Sequence, residues 1–157
     1  MARELVVFPN EVLTKVASPV LTGDTEVREL AEDMIAVCKK YEGIGLAANQ
    51  VGVLKRVIIV NIPGKKHEWK KQPFAATNGP VVMLNPTFMP TTNFLVKGKE
   101  GCLSHPGKRV EVARFDMGVC HYLTLDMVSQ SILITGLYAR CVQHEIDHID
   151  GVNIIDK

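Results

Sequence analysis

The sequence predicts an α+β fold in which antiparallel sheets pack around a C-terminal helix carrying an H-E-x-x-H motif, with an amphipathic helix near the N-terminus. Three observations support this prediction: a helical stripe near the start of the chain, several short β-rich segments in the middle, and a second helical stripe at the end. Because the strands come in one run and do not alternate with helices, a parallel α/β sheet is disfavoured. The 157 residues match the size of one domain, so a single domain over 1–157 is expected.

The first helix is predicted over residues 24–40. Apolar residues recur there at the i, i+3, i+4 and i+7 spacing of one helical face. Basic residues at the end of this segment and Gly43 just beyond it predict where the helix stops. Three residues are candidates for its N-cap: Thr22, Asp24 and Thr25.

The middle of the chain is predicted to be mostly sheet. Residues 56–62 are short and β-branched and are followed by Pro63 and Gly64, which is typical of a strand. Four further β-rich segments predict antiparallel strands: 81–84, 108–113, 118–126 and 131–135. The intervening residues 63–80 predict a loop, and its basic run is interpreted as solvated and not as a binding patch.

A last helix is predicted over residues 136–150, ending at Gly151. Its one face would carry Leu137, Cys141, His144 and His148. The segment from His144 to His148 is an H-E-x-x-H sequence, and residues four apart on a helix project from the same side, close enough for two imidazoles to bind one ion.

Glu145 falls beside these two histidines and could accept a proton from water, as a hydrolase requires. An ordinary amphipathic helix with two surface histidines is the alternative interpretation. A mononuclear catalytic site normally takes three protein ligands and leaves one position for water. The longer H-E-x-x-H-x-x-G-x-x-H form fails here, because its final histidine would fall on Ile154.

The third ligand is therefore expected upstream, and Cys102, in the short segment Glu100-Gly101-Cys102-Leu103-Ser104, is the best candidate. A thiolate would complete a Cys-His-His set and leave room for a reactive water. The other cysteines are expected to be buried thiols. The remaining histidines are interpreted as surface or core residues: His67, His105 and His121.

Composition excludes several classes of protein. The formal charge of +1 gives no electrostatic signature of a nucleic-acid binder. No run of 18 apolar residues predicts a membrane helix, and no apolar signal segment is recognisable, so a soluble, unexported protein is expected. Four widely spaced cysteines without a C-x-x-C pair predict reduced thiols.

The segment 43–50, GIGLAANQ, is small and apolar and ends in an amide. Two glycines so close together would let the backbone approach another chain or a ligand closely. A plain turn between a helix and a strand explains the segment equally well.

Three segments in this order, GIGLAANQ at 43–50, EGCLS at 100–104 and QHEIDH at 143–148, resemble the signature motifs of the peptide deformylases. The segment LVVFPNEVLTKVASPV at 5–20 is similar to the opening of that family, so the resemblance covers most of the chain. It implies a catalytic domain over 1–157 that removes the N-formyl group from formyl-methionyl nascent chains, releasing formate. Such an enzyme would act in the cytoplasm, at the ribosome, of a bacterium or of an infected bacterial host, with an organellar form left open.

The resemblance also implies roles for particular residues. Cys102, His144 and His148 would bind one divalent ion, Fe2+ in the cell, with Zn2+, Ni2+ or Co2+ able to occupy the same ligands. Glu145 would take the proton from the attacking water and pass it to the leaving amine. The Gln50 amide and the backbone N–H of Leu103 would face the developing oxyanion.

The substrate backbone is expected to lie extended along Gly45, in the manner of an added strand, with Gly101 also in contact. Arg109 is expected to contact the substrate backbone. An apolar pocket for the methionine side chain would be lined by Ile44, Leu137 and Cys141, although the last two are equally well interpreted as plain core.

Three departures from the family pattern stand out. Asn49 precedes Gln50 where threonine or proline is common, the connection at 126–129 lacks a frequent glycine, and the sequence reaches Lys157 without the C-terminal helix of many bacterial members. A short form acting as a monomer is therefore expected, without nucleic-acid or membrane partners. Two alternatives stay open: an H-E-x-x-H metalloprotease that cuts internal peptide bonds, and a non-catalytic binding module stabilised by a metal.

Overall fold

The computed structural model describes residues 3–157 and contains three α-helices and seven strands in that range. The helices are α1 (Val27–Lys40), α2 (Glu68–Lys71) and α3 (Gly136–Ile149). The strands are β1 (Gly45–Ala47), β2 (Val57–Val60), β3 (Val81–Pro90), β4 (Leu95–Gly101), β5 (Arg109–Phe115), β6 (Met117–Leu123) and β7 (Ser129–Thr135). The predicted α+β class is confirmed.

All strand pairs within the sheets are antiparallel. Five strands form one sheet in the order β1-β2-β3-β6-β7, and β4 pairs with β5 in a separate two-stranded sheet. Strand β1 lies at an edge of the larger sheet, so one side of its backbone has no strand beside it. That edge later forms one wall of the functional site.

Strand β2 of the larger sheet is buried between the two long helices. Strand β2 places Ile58 and Val60 in the core cluster that includes α3, and Val57 and Ile59 in the cluster that includes α1. Alternate side chains of a strand point to opposite faces, and both faces of β2 are covered, so all four residues are fully buried. A β-branched strand buried on both faces thus holds the two helices at fixed positions.

The first helix begins later than predicted. Helix α1 starts at Val27 with Glu26 at its N-cap position, so none of the three predicted N-cap residues caps it. Asp24 instead accepts a hydrogen bond from the Glu26 N–H and forms an ion pair with Lys55, which closes a turn just before the helix. At the other end the left-handed residue is Glu42, with φ of 55°, and not Gly43.

The predicted strands are present with different limits. Strand β2 is shorter than the predicted 56–62, and β3 runs six residues beyond residue 84, to Pro90. Strand β6 ends at Leu123, before a turn in which the Thr124 carbonyl accepts a hydrogen bond from the Met127 N–H. Strands β1 and β4 were not predicted. Strand β4 buries only Glu100, so its side chains lack the alternation that reveals a half-buried strand. The loop 63–80 contains the single helical turn α2.

The last helix is confirmed. Helix α3 spans Gly136–Ile149, and Gly151 follows it with φ of 77°, donating a hydrogen bond to the His148 carbonyl. A Cβ at this glycine would lie 2.6 Å from the carbonyl oxygen of Thr14, so the close approach also requires glycine. Within residues 3–157, no helix combines the length and the apolar character needed to cross a bilayer.

Candidate metal centre

Three side chains from two distant parts of the chain converge at one point. The candidate ligand atoms of Cys102, His144 and His148 all lie within 4.8 Å of one another. The two histidines come from adjacent turns of α3 and are buried, and their ring centroids are 5.0 Å apart. Cys102 follows directly after β4 and places its Sγ 3.2 Å from His148 Nε2.

A buried carboxylate orients the first histidine. Glu100 lies two residues before Cys102, and its Oε1 is 2.9 Å from His144 Nδ1. This contact leaves His144 Nε2 directed away from Glu100, as in metal sites where a carboxylate holds the ligating imidazole.

Two guanidinium groups hold that carboxylate in turn. Arg114 of β5 donates to both Glu100 oxygens at 2.8 and 2.9 Å, and Arg140 of α3 donates to Oε2 at 2.7 Å. Burial alone would raise the pKa of Glu100, but the hydrogen bonds from Arg114 and His144 outweigh it and hold that pKa well below its usual range. Glu100 is therefore ionised, and it joins β4, β5 and α3 in one network.

Glu145 is the buried acidic group beside the histidines. Its Oε1 lies 3.9 Å from His144 Nε2, and its Oε2 has no hydrogen-bond partner among residues 3–157. Burial raises the pKa of Glu145 to about 7, against the attraction of His144. A carboxyl with this pKa can both accept and donate a proton near neutrality.

Gln50 and Leu103 lie on the other side of Cys102. Gln50 follows β1 in a 3₁₀ turn, and its Oε1 accepts a hydrogen bond from the Ala47 N–H at 2.9 Å. Its Nε2 donates to Ser104 Oγ at 3.1 Å and approaches Cys102 Sγ at 3.7 Å. The Leu103 N–H has no acceptor in the described part of the chain. Two N–H donors thus come close to the candidate ligand Cys102.

A cleft of about 610 Å³ opens onto this cluster. All the residues predicted to bind substrate line it: Ile44, Gly45, Gly101, Arg109, Leu137 and Cys141. Cys141 is buried, whereas Leu137 is 47% exposed and so is not plain core.

Gly45 stands at a very close contact. A Cβ there would lie 2.6 Å from Cys141 Sγ and 2.9 Å from Glu145 Oε1, distances that real Cβ atoms do not occupy. Only glycine lets the backbone of β1 pass this near to α3, so Gly45 serves a close approach within the chain. The segment also connects α1 to β1, as the interpretation of a turn between a helix and a strand predicts.

The other cysteines and histidines fit their predicted interpretations. The four cysteines are free thiols, and all but Cys102 are buried. His67 and His121 are exposed, and His105 is buried with a ring nitrogen 3.1 Å from Asn153 Oδ1.

Several contributors to the site were not predicted. Arg114 belongs to no motif, and Glu100 and Ser104 were noted only as parts of a motif. Asn49 is fully buried and donates from Nδ2 to the carbonyl of His148 at 2.6 Å. The sequence did contain one signal for the role of Glu100. This glutamate lies two residues before a candidate ligand, and a carboxylate is a common partner for a histidine that binds a metal.

The donor set fits a transition-metal ion. One thiolate with two imidazoles suits iron, zinc, nickel or cobalt better than magnesium or calcium, which prefer oxygen. Burial lowers the pKa of His148 well below its usual value and so keeps this imidazole neutral, the form that coordinates metals. The cluster has three members in residues 3–157, fewer than the four side chains of a closed structural site.

An α+β scaffold that presents such a cluster and a buried carboxylate at the end of a cleft defines a mononuclear metallohydrolase. Residues 2–157 match the family model for polypeptide deformylase. The chain is 36% identical over 152 residues to the peptide deformylase of Orientia tsutsugamushi (strain Boryong), which covers 97% of this chain and 84% of the relative. The chain belongs to the peptide deformylase family.

Solved structures agree with this assignment. The peptide deformylase of Thermotoga maritima superposes with a TM-score of 0.87 at 32% identity, covering 100% of this chain and 97% of that chain. A class I type b peptide deformylase of Acinetobacter baumannii, solved with Met-Ala-Ser bound, gives 0.85 at 30% identity, with 100% and 99% covered. Peptide deformylases are metalloenzymes that remove the N-formyl group from nascent peptides, and neither alternative function is supported.

Proposed function

We propose that this chain deformylates formyl-methionyl peptides with Cys102, His144 and His148 holding one divalent ion and Glu145 acting as the general base. The observation that carries the proposal is the convergence of the three ligand atoms within 4.8 Å beside the buried Glu145. The ion in the cell is Fe2+, and Zn2+, Ni2+ or Co2+ can take the same ligands in a purified sample. The thiolate and two imidazoles accommodate all four ions.

A divalent ion bound here would polarise the formyl carbonyl and make a nearby water more acidic. Glu145 performs the proton transfers. Its Oε2, which has no partner among the described residues, takes the proton from the attacking water. The same oxygen then delivers the proton to the leaving nitrogen, which a pKa near 7 permits in both directions.

Gln50 and Leu103 stabilise the negative charge that develops on the formyl oxygen. The Gln50 amide is held in place by its contacts to the Ala47 N–H and Ser104 Oγ, and the second hydrogen of its Nε2, which faces Cys102 Sγ, is the one that donates to the formyl oxygen. The N–H of Leu103, which has no acceptor among the described residues, supplies the second donor. Removing one such donor typically costs about 10²–10³ in kcat.

The peptide lies extended along the free edge of β1. Main-chain hydrogen bonds to an edge strand ignore side-chain identity, which suits nascent chains of many sequences. Ile44, Leu137 and Cys141 line the pocket for the methionine side chain, while Gly101 and Arg109 contact the peptide from the opposite wall. The Met-Ala-Ser bound in the Acinetobacter baumannii relative is a peptide of this kind.

We place this activity in a monomer whose residues 1–157 form one catalytic domain. The substrate is the formylated start of a new chain, so the enzyme works at the ribosome in the cytoplasm of a bacterium or an infected bacterial host, or inside an organelle.

Glu145→Gln tests the assigned base. The substitution keeps the size of the side chain and removes the proton acceptor, so the variant retains its metal and loses kcat by about 10²–10⁴-fold on formyl-Met-Ala-Ser. Glu68→Gln, a partly exposed surface change, is the matched control. Full activity of Glu145→Gln at equal metal content would overturn the role.

Anaerobic purification with metal analysis tests the ligands and the ion. We expect about one ion per chain, with iron when oxygen is excluded. Cys102→Ala should lose the ion while remaining folded by circular dichroism. Formate release from formyl-Met-Ala-Ser, without cleavage of acetyl-Met-Ala-Ser, then confirms the reaction; an unchanged metal content in Cys102→Ala would reject the ligand set.

A further inference from the structure

One wall of the cleft is formed by the β4–β5 hairpin, and it carries three cationic side chains. Lys99 belongs to β4, Lys108 directly precedes β5, and Arg109 is its first residue. All three line the cleft and are exposed. We call these three residues the cationic wall.

No ion pair neutralises the charges of the cationic wall in the part of the chain that the structure describes. Among residues 3–157, none of the three side chains takes part in an ion pair. Glu111 stands opposite Lys99 in the strand ladder, yet the two do not form a salt bridge. Their charges therefore act on whatever occupies the cleft.

The remaining charges of the cleft do not cancel this field. Glu42 is the one exposed acidic residue lining it in the described range. Glu100 is buried and compensated by Arg114 and Arg140, and Glu145 lies at the closed end. Three exposed positive charges thus face one exposed negative charge, and a cleft with low-dielectric walls focuses such a field.

We propose that the cationic wall makes this enzyme prefer formyl-methionyl peptides with acidic residues at the second and third positions. The inference rests on the proposed function, because it assumes that the peptide lies between β1 and the hairpin. In an extended peptide successive side chains point to opposite sides, so at least one of these two positions faces the wall. Lys99 and Lys108 act as specificity-determining residues and take no part in the chemistry.

The preference is electrostatic and is therefore sensitive to salt. Exposed charge pairs contribute little individually and are screened within about 10 Å at 0.1 M ionic strength. Complementary charge acts mainly on association, so the effect belongs to kcat/KM and not to kcat.

Three C-terminally amidated peptides test the preference: formyl-Met-Ala-Ser, formyl-Met-Asp-Asp and formyl-Met-Lys-Lys. At about 20 mM salt, kcat/KM for the Asp-Asp peptide should exceed that for the Lys-Lys peptide by about tenfold. At about 0.5 M salt the ratio should fall below about twofold. A ratio of one at low salt, or one that favours lysine, would overturn the proposal even when the Ala-Ser peptide is deformylated normally.

Charge reversal identifies the residues. Lys99→Glu/Lys108→Glu should invert the ratio of kcat/KM between the Asp-Asp and Lys-Lys peptides. Lys65→Glu/Lys66→Glu is the matched control, since it changes the charge equally at exposed positions that do not line the cleft. An equal shift in both double variants would mean that net charge, and not the cationic wall, sets the preference.

A binding measurement separates this inference from the proposed function. Calorimetric titration of the Glu145→Gln protein with the Asp-Asp and Lys-Lys peptides gives their relative affinities without turnover. Tighter binding of the Asp-Asp peptide supports the cationic wall even if the formate assay fails. Equal affinities in this titration reject it even if deformylation is efficient.

Discussion

The side-chain amide of Asn49 donates a hydrogen bond to the carbonyl of His148, 2.6 Å away, and so ties the turn that carries Gln50 to the end of α3. Asn49 is fully buried, and its Oδ1 has no partner in residues 3–157. The residue that departs from the common family pattern thus connects a proposed oxyanion donor to a proposed metal ligand.

Asn49→Ala should therefore loosen both sides of the site. We expect a loss of about 1–2 kcal/mol in the free energy of unfolding, from one buried hydrogen bond and a small cavity. Metal release to a chelator should accelerate by about tenfold, as when a group that orients a ligand is removed. Urea unfolding and stopped-flow chelation measure the two effects. The exposed Asn93→Ala is the control, and equal chelation rates in the two variants would contradict the positioning role.

Gly45→Ala should disturb the general base. The new methyl group would fall within 3 Å of Cys141 Sγ and Glu145 Oε1, so α3 or β1 must move. We expect a loss of about 1–3 kcal/mol in stability and a lower kcat. Adding Cys141→Ala removes the nearer clash, and the double variant should regain part of the stability in a double-mutant cycle. Strictly additive losses would show that the contact is not the cause.

Arg140→Met and Arg28→Met compare a partly buried ion pair with an exposed one. Arg140 donates to Glu100 and to the carbonyls of Val112 and Val96, and its removal leaves part of the Glu100 charge uncompensated. We expect a loss of about 2–4 kcal/mol in the free energy of unfolding. Arg28→Met breaks an exposed ion pair with Asp126 and should cost below about 0.5 kcal/mol. Equal losses from the two variants would contradict the importance of the buried network.

Thiol labelling should report metal occupancy. Burial raises the pKa of Cys38 to about 11 and that of Cys120 to about 12, and burial also places the pKa of Cys141 well above its usual value. Because the thiolate is the reactive form and appears only as the pH rises towards these values, all three should resist a thiol reagent at pH 8.

Cys102 is the one thiol that is not buried. We expect about one thiol per chain to react after chelation and none after Zn2+ is restored, measured by the absorbance of the released chromophore. Cys102→Ser should show no rapid labelling in either state. Rapid reaction of two thiols in the chelated protein would contradict the assignment.

Features that depend on a short stretch of sequence could be predicted from that stretch alone. The i, i+4 spacing of His144 and His148 places two ligands on one helical face, and this requires no knowledge of the rest of the chain. Cys102 lies 46 residues before His148. The number of ligands that a catalytic site needs favoured Cys102, and the family resemblance implied that it binds the same ion as the two histidines. No local periodicity in the sequence could show this, because Cys102 lies in a loop far from the helix.

The Glu100 network escaped prediction for a related reason. It exists only where β4, β5 and α3 meet, and β4 has little apolar alternation to reveal it. Asn49 shows the same limit, since its partner is a backbone carbonyl 99 residues away. Long-range polar contacts depend on the completed fold, whereas amphipathic stripes can be recognised within a single segment.

The network around Glu100 has a consequence for how the cofactor is acquired. His144 is oriented by a carboxylate that two arginines already hold, and one face of α3 is anchored by hydrophobic packing against the larger sheet. The orientation of His144 is thus set by protein contacts, whereas the folding free energy of a zinc finger comes from the ion. We therefore expect the polypeptide to fold before the ion binds and to exchange one cation for another without passing through an unfolded state.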